Sequence, residues 1–142
     1  MKFHIILMNL LSLSCEPYVL IACILMLYKY KYINIKQIII FIIGFCVVMG
    51  LKLNIRSPRP YVLNKNLINY SIISVDDNMS FPSGHSYCAF MLFFILYNNM
   101  FSIKYIIIPV LIGISRIVLN VHHLHDVLGG FLIAFINYNL LL

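Results

Sequence analysis

The sequence predicts an all-α fold: an integral membrane helical bundle with about five transmembrane helices and a short amino-terminal interfacial helix, forming one membrane-embedded domain over residues 1–142. Two observations lead there. Hydrophobic residues make up 63% of the chain and the mean hydropathy is +0.98, while Lys and Arg number 10 and Asp and Glu only 4. A soluble domain carries roughly a quarter charged residues, so a soluble reading leaves the polar surface unaccounted for. The second observation is the recurrence of apolar runs separated by short polar breaks.

The net charge of +6 does not point to nucleic acid, because the basic residues are scattered between apolar runs and form no stripe. Cys15, Cys23, Cys46 and Cys88 show no CxxC or zinc-type spacing and read as small buried hydrophobes. Lys2 precedes an apolar run in the manner of a signal peptide, but no small-residue cleavage site comes after it and apolar segments continue to the end, so the run is read as part of the mature chain.

Residues 3–14 cover only about 18 Å at 1.5 Å per residue, and Glu16-Pro17 separates them from the next apolar run. This piece is the interfacial or half-inserted helix, with His4 as an interface residue and Pro17 opening the next helix at its first turn. The first span begins at Tyr18, runs to Tyr28 and ends in Lys29-Tyr30-Lys31-Tyr32, reaching Lys36; tyrosines and lysines at the end of an apolar run are an interfacial anchor. The second span is about Gln37 to Leu53. The lysine-rich loop between them belongs in the cytoplasm by the positive-inside rule, which sends Lys52 to the outer side.

Asn54 to Ser80 is the one long polar loop, stiffened at its entry by Pro58 and Pro60. The third span comes after Phe81-Pro82-Ser83-Gly84-His85 and continues to about Tyr97. The fourth runs from about Phe101 to Leu119 with a kink near Pro109. The fifth runs from Val127 to Leu142, where Gly129-Gly130 permits close helix packing. This topology leaves the amino end outside and the carboxyl end inside. It also gathers the end of the second span, the start of the third and the turn between the fourth and fifth on the outer side.

Chemistry-bearing residues collect at that convergence. After Asp77 the remaining Lys, Arg, Asp and Glu residues are Lys104 on the opposite side and Arg116 and Asp126 on this one. Charges at membrane depth are costly unless paired or hydrated and mark sites by default. His122 and Asp126 are four apart and share a face if the stretch is helical, so the carboxylate can fix the imidazole tautomer. In isolation the same stretch reads equally well as snorkelling charges and interfacial histidines. Lys52 alone reads as a snorkelling helix end. Pro82-Ser83-Gly84-His85 reads as a helix opening whose free backbone N–H groups suit an anion, with His85 beside it as a candidate acid.

Three motifs occur in order: Lys52, six residues, Arg59-Pro60; then Pro82-Ser83-Gly84-His85; then Ser115-Arg116, five residues, His122, three residues, Asp126. Together they resemble the type 2 phosphatidic acid phosphatase family, membrane relatives of vanadium haloperoxidases and bacterial acid phosphatases. The resemblance implies a membrane phosphatase that hydrolyses a lipid phosphomonoester or lipid pyrophosphate without metal or other cofactor. It assigns His122 the attack on phosphorus through a phosphohistidine, Asp126 its orientation, and His85 protonation of the leaving oxygen and later activation of water. Lys52, Arg59, Arg116, Ser83 and the Gly84 backbone N–H would hold the phosphoryl oxygens. It further implies a lipid phosphate as partner within the bilayer of the inner (cytoplasmic) membrane, with the site on the outer face. Many membrane members have six spans, and the amino-terminal one is here cut short. His123 and His125 match no family position and read as interfacial or substrate-adjacent.

Other readings remain at this point. The phosphoryl group could pass to another acceptor, making a lipid phosphotransferase. His85, His122, His125 and Asp126 could instead bind or transport a metal, although that leaves Lys52, Arg59 and Arg116 unexplained, since cations repel one. Haloperoxidase activity would need vanadate. The loop from Val62 to Met79 is expected to set which lipid phosphate is used.

Overall fold

The computed structural model describes residues 3–99 and 102–140, and among them all regular structure is helical. The helices are α1 (Phe3–Leu13), α2 (Pro17–Lys29), α3 (Ile35–Ile55), the single turn α4 (Pro60–Leu63), α5 (Gly84–Asn99), α6 (Ile107–Val118) and α7 (Leu124–Asn139), with a 3₁₀ turn at Ile103–Ile106. The expected starting point of the fourth span, Phe101, and the end of the fifth, Leu142, lie outside the described residues.

Local sequence accounts for the boundaries. Pro17 occupies the first position of α2, where its missing N–H costs nothing, with Glu16 as the extended N-cap. Asn34 and Gln37 form a reciprocal capping box at the start of α3. Arg56, at φ 49°, ends α3 in the left-handed conformation and reverses the chain into the polar loop.

Length separates the helices. Among the described residues, α3 lies in the one segment long and apolar enough to cross a membrane. At 13 residues, α2 rises only about 20 Å; α1 and α2 reach spanning length only as a pair, bent by 52° at Ser14 to Glu16. A bundle of five full spans is therefore an expectation that these helix lengths do not by themselves establish. The outer faces are apolar nonetheless: Ile39, Ile43 and Val47 on α3 and Leu128, Leu132, Phe135 and Ile136 on α7 are exposed. Cys23 and Cys46 lie on such faces and are exposed, against the expectation of burial; only Cys15 and Cys88 are buried, and all four are free.

Two further boundaries involve prolines, Pro109 and Pro82. At Pro109, where a kink is expected, the 3₁₀ turn Ile103–Ile106 passes into α6. The proline falls in the first turn of α6, where its missing N–H has no intrahelical partner to lose, and the 3₁₀ turn precedes it. Pro82 does not open a helix, because α5 starts at Gly84, with the Ser83 hydroxyl accepting from Ser86 N at 3.3 Å.

The core joins α3, α5 and α7 around Val48, Tyr87, Met91 and Ala134. Gly130 lets α7 press onto the start of α5: a Cβ there would come within 2.4 Å of the Ser83 carbonyl oxygen. That contact fixes the α5 opening beside the α6–α7 turn, which is where the motif residues meet. The amino-terminal helix α1 packs against α6. Its buried Asn9 donates to Tyr70 O (2.9 Å) and accepts from Ile72 N (2.9 Å), tying the polar loop to the amino-terminal helix.

Candidate active site

Helix α6 ends at Val118, Asn120 turns the chain at φ 60°, and His123 becomes the N-cap of α7. His122 and Asp126 are thus not on one helix. Asp126 is the third residue of α7, and its Oδ2 accepts from His123 N at 2.7 Å as a capping box would arrange. The same oxygen faces His122 Nδ1 at 3.4 Å and accepts from Ser80 Oγ at 2.5 Å. Its other oxygen lies 3.1 Å from His125 Nε2, out of hydrogen-bonding alignment. The four-residue spacing brings the pair together through a helix start, a different geometry from the expected shared helical face.

On the far side of the ring, His122 Nε2 is 3.4 Å from Arg59 Nη1. A guanidinium only donates, so this contact leaves Nε2 as the unprotonated nitrogen and puts the ring proton on Nδ1, toward Asp126. Burial is the main reason the His122 pKa falls below its ordinary value, and Arg116, Arg59 and Lys52 push it the same way against the hydrogen bond to Asp126.

Lys52 and Arg59 are buried, at 8% and 4% exposure, so neither snorkels. Lys52 Nζ donates to Met79 O (2.6 Å) and Ser80 O (3.3 Å). Arg59 donates from Nε to Asp76 O (2.6 Å), from Nη2 to Met79 O (3.2 Å) and from Nη1 to Val121 O (2.6 Å). The two cations thereby pull the end of the polar loop over the site and position Ser80 against Asp126. Arg116, 1% exposed, donates from Nη1 to the Ser12 hydroxyl of α1, and its Nε has no partner among the described residues.

A cleft of about 590 Å³ contains Lys52, Arg59, Gly84, His85, Arg116 and His122 at one end. Leu20, Ile21, Ile24, Phe41, Ile42 and Phe45 of α2 and α3 line the other end. Ile73, Ser74 and Val75 of the polar loop border it. Ser83 is fully buried and is not among the lining residues: its hydroxyl is taken up by Ser86 N and Ser86 Oγ (3.0 Å), so it caps α5. Gly84 and His85 occupy the first turn of α5, where helix geometry leaves their N–H groups without intrahelical acceptors. His85 Nε2 is 3.6 Å from Glu16 Oε1. His123 and His125 stack on each other, ring centroids 5.0 Å apart, with the His125 side chain 65% exposed.

Six of the motif residues thus line one cleft, while Asp126 stands behind His122 and Ser83 behind Gly84. Among the described residues no group of three or more His, Cys, Asp or Glu is arranged to hold a metal ion. Sequence reasoning missed Ser80 and Glu16. Ser80 belongs to no motif, and its only signal is its position at the end of the polar loop, two residues before Pro82. Glu16 read only as an interruption between apolar runs, although a lone carboxylate among them was itself a signal.

Two comparisons relate the chain to known proteins. The model of the family described as the PAP2 superfamily matches residues 34–141. The fold is similar to that in the crystal structure of LpxE from Aquifex aeolicus, with a TM-score of 0.77 and 21% sequence identity over 99% of this chain and 86% of that one.

Proposed function

The chain belongs to the PAP2 superfamily, and from that premise we propose that it is a membrane phosphatase hydrolysing a lipid phosphomonoester or lipid pyrophosphate through a phosphohistidine. One observation carries the lipid part of this reading: the cleft is cationic at the His122 end and apolar between α2 and α3. A phosphate with a hydrocarbon tail matches both ends, whereas a soluble phosphate leaves the apolar end unused.

In this reading Lys52, Arg59 and Arg116 hold the phosphoryl oxygens with the Gly84 and His85 N–H groups, and Ser83 contributes by capping α5. Nε2 of His122 attacks phosphorus while Nδ1–H is held by Asp126. As the P–O bond breaks, His85 gives its proton to the leaving oxygen. Water then attacks the phosphohistidine, returns a proton to His85 and frees His122. The site lies on the outer side of the membrane, opposite the lysine-rich loop between α2 and α3. The Val62–Met79 loop, whose residues Ile73 to Val75 border the cleft, sets the choice of lipid.

A panel of phosphatidic acid, phosphatidylglycerophosphate and polyprenyl pyrophosphate, assayed for phosphate release in detergent with EDTA present, tests the proposal. At least one is turned over by the wild type, and His122→Ala loses about 10⁴-fold or more. Wild-type turnover in His122→Ala would remove the nucleophile assignment. Restoration by magnesium after loss in EDTA would indicate a metal enzyme.

A further inference from the structure

Residues 3–33 lie outside the stretch that the family model matches, yet they reach the site at two points. Ser12 of α1 accepts from Arg116, and Glu16, between α1 and α2, faces His85 Nε2 across 3.6 Å. The elbow that carries them is anchored. Cys15 packs with Ala89 of α5 and Ile112 of α6, Glu16 N donates to Leu13 O (3.1 Å), and Leu20 N donates to Glu16 O (2.9 Å). Pro17 fixes the direction in which α2 leaves.

Charge around His85 is one-sided without Glu16. Lys52 comes from α3, Arg59 from the start of α4, Arg116 from α6 and His122 from the α6–α7 turn. Asp126 stands behind His122, committed to Ser80, His123 and His122 itself. Among the described residues that line the cleft, Glu16 carries the one carboxylate. A general acid must hold its proton until the ester bond breaks, and neighbouring cations oppose a protonated imidazole, whereas an opposite charge within about 4–6 Å favours it.

We propose that Glu16 is a positioning residue whose charge, 3.6 Å from a His85 Nε2 that has no hydrogen-bond partner among the described residues, keeps His85 protonated for the leaving oxygen, making the α1–α2 elbow part of the catalytic apparatus. The proposal rests on the phosphatase reading above. In the first step the His122 Nε2–phosphorus bond forms, the phosphorus–alkoxide bond breaks and the His85 proton passes to the alkoxide. In the second step water's oxygen bonds to phosphorus, the nitrogen–phosphorus bond breaks and water's proton returns to His85. Glu16 exchanges no atom in either step; its carboxylate stabilises the imidazolium at the start and the end.

The test compares two phosphate esters on the full chain in detergent: a dialkyl-glycerol phosphate, whose alkoxide needs a proton, and 4-nitrophenyl phosphate, whose phenolate departs without one. Glu16→Gln is expected to lower kcat on the lipid phosphate about 10- to 100-fold and to change kcat on the nitrophenyl ester less than about 3-fold, with KM for both nearly unchanged and Glu16→Asp recovering part of the loss. In a His85→Asn background Glu16→Gln should add no further loss, since the two act in one step. Equal losses on both esters, with or without a KM change, would assign Glu16 to folding or phosphate binding and overturn the proposal, as would wild-type rates on both. A wild type that turns over neither ester, or a fully active His122→Ala, would overturn the phosphatase reading itself and this proposal with it.

Discussion

Two carboxylate–histidine pairs flank the cleft, and they are built in different ways. Asp126 and His122 are neighbours along the chain, joined by a capping turn, and Asp126 is fully buried, its Oδ2 within hydrogen-bonding reach of Ser80, His123 N and His122. Glu16 and His85 come from distant segments, meet at 3.6 Å with side chains 26% and 17% exposed, and depend on how α1 and α2 dock against α5 and α6. The local pair is a property of a motif. The distant pair is a property of packing, and it is the more open to alteration by changes far from either residue.

Asp126→Asn gives the largest separation between the pairs. It removes the acceptor that places the His122 proton on Nδ1, so attack is impaired whatever leaves, and both the lipid and nitrophenyl phosphates should lose about 10³- to 10⁴-fold in kcat. A loss confined to the lipid phosphate would mean that the two pairs do not divide the work as described. A smaller effect is expected from Ser12→Ala, which takes from Arg116 its acceptor in α1. Loss of a hydrogen bond to a charged group is worth about 1.5–3 kcal/mol before solvent or substrate replaces it, and a KM rise of about 3- to 10-fold with kcat retained is the expected reading. A fall in kcat alone would move Arg116 out of phosphate binding.

The smallest change is one that should not occur. Burial pushes the His122 imidazole down to about 3 from its ordinary 6.5. Since the folded value lies below the unfolded one, the ring stays neutral and the site keeps its full stability above pH 6.5. As pH falls below 6.5 the unfolded state gains the proton first and stability declines. Carbon-13 histidine spectra of the wild type, assigned by loss of a signal in His122→Asn, should show no titration of His122 between about pH 5 and 8. A midpoint near 6.5 would mean that the ring is solvated.

Much of the candidate site was legible because its spacing is local. Arg116, His122 and Asp126 lie within one helix end, one turn and one helix start, so their separation along the chain constrains their separation in space. The same holds for Gly84 and His85 in the first turn of α5. Apolar run length located the helices well, and the glycine pair in α7 correctly signalled close packing on α5. Boundaries were less legible where a proline had two meanings. Pro17 opens a helix, Pro82 precedes one by two residues, and Pro109 sits in the first turn of α6 just after a 3₁₀ turn. Lys52 shows the limit for charge: apolar sequence around a lysine fits snorkelling and burial alike, and only the Met79 and Ser80 carbonyls decide between them.

Short-range relations were therefore written into the chain itself: helical class, the apolar outer faces, and three motifs whose residues are held close by covalent connection. Folding in three dimensions chose the distant groups that complete them. Ser80 reaches Asp126 because Lys52 and Arg59 draw the loop's carbonyls inward, and Glu16 reaches His85 because Cys15 seats the elbow between α5 and α6. Such contacts leave no period or spacing in the chain. They arise when buried polar groups, unable to turn to water, must find partners among whatever segments packing brings near.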